Sequence, residues 1–269
     1  MNLLLLAAAL TVSESVISVT EDGPRAGEAY RFQQGDAVFF RARVAGYTRH
    51  KDEDDRENMA IAWNVQVFDP QGVPLVPPKS GKVAVDLAPQ DKEWTPRVRH
   101  EFPLPPLVDP GDYRILFAAK DEIGGGEAKS ETVFRVRGRV VEPSDALTIR
   151  NFRFLRSEED GPAMITPAYH GGDEVWARFD ITGYRIGEGN RYEVGYGLEV
   201  FDASGKSIYT QPEAARESGE GFYRKRYVPG VLNLRPSVDI AKGEYSVALR
   251  VRDIVGAAES ESRRVFRIE

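Results

Sequence analysis

The amino-acid sequence predicts an all-β protein made of two tandem antiparallel β-sandwich domains, and three observations carry that expectation. Apolar residues alternate with polar ones at period two, the pattern of a strand with one wet face. The same anchors recur in the same order in both halves of the chain. The segments between them carry the Asp and Gly chemistry of tight turns. A length of 269 residues suits two domains better than one. The apolar share of 41% and charged share of 29% are those of ordinary globular protein and exclude a disordered chain.

The first element is a targeting signal. Residues 3–10 are all Leu or Ala, and Ala7 and Ala9 offer a small-x-small cleavage pattern, although no Lys or Arg precedes the run. Eight apolar residues fall well short of the roughly 20 that span a bilayer. We expect a signal peptide over residues 1–13 and no membrane span elsewhere, so that the mature chain is exported to the periplasm or cell surface.

The first sandwich is expected over residues 14–137, a linker over 138–146 and the second sandwich over 147–269. Glu21-Asp22-Gly23-Pro24 recurs as Glu159-Asp160-Gly161-Pro162, and Gly35-Asp36-Ala37-Val38 as Gly172-Asp173-Glu174-Val175. In the strand that follows, Val38, Phe40, Ala42 and Val44 point inward with Arg41 and Arg43 opposite. Its counterpart places Val175, Ala177, Phe179 and Ile181 inward, with Arg178 and Asp180 outward. Phe39 and Trp176 break the pattern as aromatics on the outer face. Residues 30–33 and 168–170 are expected to fold over them, because a bare indole on a sheet forgoes about 2 kcal/mol of burial; the alternative is that the rings meet the neighbouring domain or a partner. The next strand runs Met59, Ile61, Trp63, Val65, Val67, matched by Tyr192, Val194, Tyr196, Leu198, Val200. Asp69-Pro70-Gln71-Gly72 and Asp202-Ala203-Ser204-Gly205 then close hairpins. Tyr113, Ile115, Phe117 and Ala119 match Tyr245, Val247, Leu249 and Val251, and Val133-Phe134-Arg135-Val136 matches Val265-Phe266-Arg267-Ile268.

The run Asp109-Pro110-Gly111-Asp112-Tyr113 resembles the tyrosine corner of immunoglobulin-like sandwiches, and Trp63 and Tyr196 stand where that fold carries its buried aromatic. Ile115 and Val247 occupy the place of the second cysteine, and Ala241 replaces the Asp in the second copy. The pattern thus resembles the disulfide-free immunoglobulin-like and fibronectin-like modules of bacterial envelope proteins. It implies a fold and no particular activity.

Chemistry-bearing residues point away from catalysis. The absence of cysteine removes thiolate nucleophiles and Cys-ligated zinc. A net charge of −6, with basic residues spread along strand faces, argues against nucleic acid. Asp52-Glu53-Asp54-Asp55 lacks the alternating register and Gly of a calcium loop, and the matching loop of the second half holds only Glu188. His50, His100 and His170 are scattered, without a zinc spacing. Glu217-Ser218-Gly219-Glu220-Gly221 reads as a flexible loop rather than a nucleophile turn, and Gly124-Gly125-Gly126 as a hairpin. No catalytic, cofactor or metal residues are therefore nominated. The expectation is a non-enzymatic binding or scaffolding protein whose partner is another envelope protein. A polysaccharide stacked on Tyr184, Tyr209, Tyr223 or Tyr227 is the alternative.

Overall fold

A computed structural model describes residues 9–51, 56–88, 90–91, 93–159 and 161–269. The chain divides into two compact units that meet between Arg139 and Val140. In unit 1 one sheet pairs β1 (Thr11–Ser18), β2 (Ala37–Ala45) and β6 (Arg97–Pro103) in the order β1-β2-β6. The other holds β3 (His50–Lys51), β4 (Glu57–Phe68), β5 (Lys79–Leu87), β7 (Gly111–Asp121) and β8 (Glu127–Val136), with β4 flanked by β5 on one edge and β7 on the other. Unit 2 repeats this plan. There β9 (Thr148–Leu155), β11 (Val175–Thr182) and β14 (Tyr227–Leu234) form one sheet. The second follows the order β10 (Ala168–Tyr169), β16 (Ala258–Ile268), β15 (Gly243–Asp253), β12 (Tyr192–Phe201), β13 (Ser207–Gly219). All named pairings are antiparallel except β10 with β16. A 3-10 turn at Glu188–Asn190 is the helical structure among the described residues. In both units the fourth long strand, β5 or β13, joins the third rather than the β1 or β9 sheet. That is the fibronectin-like variant of the sandwich, where a constant-type immunoglobulin domain would place it in the opposite sheet.

The alternation explains the packing. Val38, Phe40, Ala42 and Val44 are all buried, as are Val175, Ala177, Phe179 and Ile181. Rings from facing sheets meet in the core: Phe40 lies 6.0 Å from Phe117, and Phe179 stands edge-on to Tyr196 at 5.1 Å. Both tyrosine corners form. Tyr113 Oη donates to the Asp109 carbonyl and Tyr245 Oη to the Ala241 carbonyl, each at 2.7 Å. Because the acceptor is main chain, Ala241 serves as well as Asp109. Trp63 is half-buried and leans over the neighbouring strand, its indole occupying the space a Cβ on Gly81 would need.

Several expectations need correction. The structured chain begins before residue 14: Leu10 is buried and β1 pairs with β2 from Thr11 onward. Residues 144–146, placed in the linker, pack against the turn after β11, where a Cβ on Gly183 would come within 2.0 Å of the Ala146 carbonyl oxygen. Asp180, expected on the wet face, is only 1% exposed. A β-bulge in β9 places Asn151, at φ +52°, where its side-chain amide donates to Asp180 at 2.8 Å. Residues 30–33 and 168–170 do not fold over Phe39 and Trp176. Phe32 instead bridges to Val136 and packs edge-on against Phe134, and β10 adds to β16 in the same way. Phe39 lies beside Ser18, Glu21, Asp22 and Arg99, while Trp176 Nε1 donates to Glu174. Finally, Glu217 to Gly219 are the last residues of β13 rather than a flexible loop.

Candidate binding surface

The residues singled out by type are largely engaged in the fold. Asp69 Oδ1 accepts from the amides of Gln71 and Val73, and Asp202 Oδ1 from those of Ser204 and Lys206. Gly72 and Gly205 follow at φ +80° and +82°, so both Asp residues are turn-formers. The Ser204 hydroxyl and the Lys206 amide hold the Asp202 carboxyl below its ordinary range. Asp52-Glu53-Asp54-Asp55 lies outside the described residues. Among the described ones no three His, Asp or Glu side chains gather as metal ligands. His50 is on the exposed β3, and the exposed His170 lies 3.4 Å from Asp173.

His100 faces inward between Val98 and Phe102, and its Nε2 is buried with no hydrogen-bond partner among the described residues. Burial, assisted by the Lys79 charge, lowers its pKa from 6.5. The neutral ring is therefore the folded form. The stability it contributes is complete above pH 6.5 and falls as acid first protonates the unfolded chain and then passes the folded pKa. His100→Phe should flatten this decline in urea midpoints measured between pH 7.5 and 5. An unchanged slope would mean that His100 is hydrated.

Of the four candidate tyrosines, two are buried. Tyr184 donates to the Lys225 carbonyl and packs against Tyr192, and burial raises its pKa. Tyr227 is 3% exposed. Tyr223 is half-buried, which leaves Tyr209, 48% exposed on β13.

A pair of buried acids escaped the sequence reading altogether. Asp121 at the end of β7 accepts from the backbone amides of Thr48, Ile123 and Gly124, and Asp253 at the end of β15 from those of Arg185 and Gly256. Each ties the loop after the second long strand to a hairpin tip. Their signal was a period: both end an inward run, at the place where the alternation calls for one more apolar residue.

What remains open to a partner differs between the units. On the outer face of β4, β7 and β8, Asn64, Gln66, Leu116, Lys129 and Glu131 line a depression of about 530 Å³. The equivalent face of unit 2 is occupied by ion pairs of Arg250 with Glu199 and Glu261, and by Arg263 over the Phe201 ring. The bordering edge strands differ too. β5 keeps unbroken register with β4 from Glu57↔Leu87 to Val65↔Lys79 and contains no proline. β13 carries Pro212 and two register breaks. Proline and bulges are the usual protection of an exposed edge. Unit 1 lacks both at β5.

No family's sequence profile matches the chain, and no curated protein matches it. Among solved structures it is similar to the C-terminal domain of the Streptococcus agalactiae AgI/II polypeptide BspA, at 9% identity over 96% of this chain and 99% of that one, with a TM-score of 0.29. The C-terminal domain of the Streptococcus pyogenes antigen I/II-family protein AspA gives 10% identity over 97% and 99%, with a TM-score of 0.31. The sandwich assignment rests on the strand pairing and the two tyrosine corners. No helix among the described residues is long and apolar enough to cross a membrane.

Proposed function

We propose that this chain is an exported, non-enzymatic binding protein whose two sandwich modules hold or space another protein of the bacterial envelope. The asymmetry of the units carries the reading: unit 2 has an interrupted edge and a face filled with ion pairs, whereas unit 1 offers an unbroken edge at β5. An unpaired strand edge is a template for an added strand, whose main-chain bonds supply affinity. Export is supported by the apolar run at residues 3–10, and cleavage after Ala9 leaves β1 whole. A polysaccharide ligand is the second reading, favoured by the exposed Tyr209. The test is hydrogen exchange on the full chain, alone and after capture of envelope proteins, with a parallel polysaccharide titration. A protein partner should slow exchange along β5. Protection confined to β13 on adding polysaccharide, with β5 unaffected by protein, would reverse the assignment.

A further inference from the structure

Resting on the reading of β5 as a recognition edge, we infer that its partner is β5 of a second copy, paired antiparallel about a two-fold axis at Ala84. Among the described residues β5 hydrogen-bonds to β4 alone, and Lys79, Ser80, Lys82, Ala84 and Asp86 are exposed. Even-numbered residues face outward, while Val83 and Val85 are half-buried toward the core and Leu87 is buried. A continued sheet must match face to face, since directly opposed residues share a face.

With Ala84 opposite itself, Lys82 falls opposite Asp86 on the outer face and Val83 opposite Val85 on the core face. Symmetry repeats each pair. Shifting one copy by two residues in either direction loses the match. One shift sets Lys82 against Ala84 and the other sets Asp86 against Ala84, and larger shifts oppose Lys82 to Lys82 or Asp86 to Asp86. The strand is thus self-complementary in charge and in apolar content in a single register, as an isologous interface requires. Within one chain Lys82 forms an ion pair with Glu122, so pairing with Asp86 of a second copy exchanges one carboxylate partner for another. The β13 edge of unit 2, with Pro212 and its register breaks, offers no comparable run.

The chain contains no cysteine, which makes the axis directly readable. Ala84→Cys in the full-length protein should give a disulfide-linked dimer on mild oxidation, because opposed Cβ atoms in a sheet lie about 4.5–5.5 Å apart, within a small adjustment of disulfide reach. Ala203→Cys, on an exposed turn of unit 2, should not. Sedimentation of the cysteine-free chain should show reversible dimers. Lys82→Asp or Asp86→Lys alone should weaken them about tenfold, each by losing two opposite-charge pairs and gaining two like ones. The double variant K82D/D86K restores the complementarity and should recover the dimer, which a general loss of folding could not do. A chain that stays monomeric, with a captured protein protecting β5, overturns the dimer and keeps the edge as the recognition site. Dimers indifferent to both charge changes also overturn it. If β5 exchanges freely in every complex, the functional reading fails as well.

Discussion

Gly183→Ala will destabilise unit 2 by about 2–5 kcal/mol, well beyond the cost of the same change at Gly205. Both glycines have φ near the left-handed region, +72° and +82°, so each alanine incurs about 1–2 kcal/mol of backbone strain. At Gly205 nothing lies within 4 Å of the new methyl, and strain is the whole effect. At Gly183 the methyl would meet the Ala146 carbonyl oxygen at 2.0 Å and the Ser144 oxygen at 2.9 Å. Main chain cannot rotate aside, and overpacking adds about 1–3 kcal/mol. The segment entering unit 2 is held in place further by Thr148, whose hydroxyl donates to Ala146 and pairs with Ser144. Denaturation followed through Trp176, the tryptophan of unit 2, measures the difference from unit 1. Equal losses at the two glycines would mean that residues 144–146 can move off Gly183.

The contrast shows what was legible in the sequence. Strands with one wet face, β2, β4, β7 and their counterparts, were readable because burial on one side writes a period of two into the residues. Edge strands were not. β13 reads Ser-Ile-Tyr-Thr-Gln-Pro-Glu-Ala-Ala-Arg-Glu-Ser-Gly and is mostly exposed, so no periodicity marks it. β1 was hidden behind the apolar run read as an export signal, because Leu10 is both the end of that run and a core residue.

Burial of charge was likewise invisible where it depended on a partner far away in sequence. Glu14 bonds Arg41 and Arg43 on the outer face of unit 1, and the matching strand register of unit 2 sets Arg150 opposite Asp180, whose carboxylate accepts from Asn151. Both places carry a bulge in the first strand. An alternation reading sees Asp180 as outward and stops there. It cannot see that the bulge brings Asn151 onto the carboxylate. The candidate edge at β5 was also missed, since its significance lies in what fails to pair with it.

Asp121→Ala will cost about 3–5 kcal/mol in unit 1, among the larger losses a single substitution can cause. Three backbone amides, of Thr48, Ile123 and Gly124, converge on this carboxylate at 2.7, 2.9 and 3.1 Å. Alanine leaves them without an acceptor in a site where the residue is only 2% exposed, and each orphaned donor costs about 1–3 kcal/mol unless water enters. Asp121→Asn separates shape from charge: it keeps the volume but turns one acceptor into a donor aimed at an amide, and should recover part of the loss. The pH dependence gives an independent check. Burial alone would raise the Asp121 pKa, but the Gly124 amide, the Thr48 hydroxyl and the amides of Thr48 and Ile123 outweigh it and hold the value below 3.8. A depressed carboxylate contributes stability that is fully present above the unfolded value near 3.8 and is lost as pH falls through the folded one. Urea midpoints of the native chain should therefore drop more steeply between pH 4.5 and 2.5 than those of Asp121→Asn. Parallel slopes would show that the carboxylate is no better bound in the folded chain than in the unfolded one, and the loop after β2 would then be held by its own turn and not by Asp121.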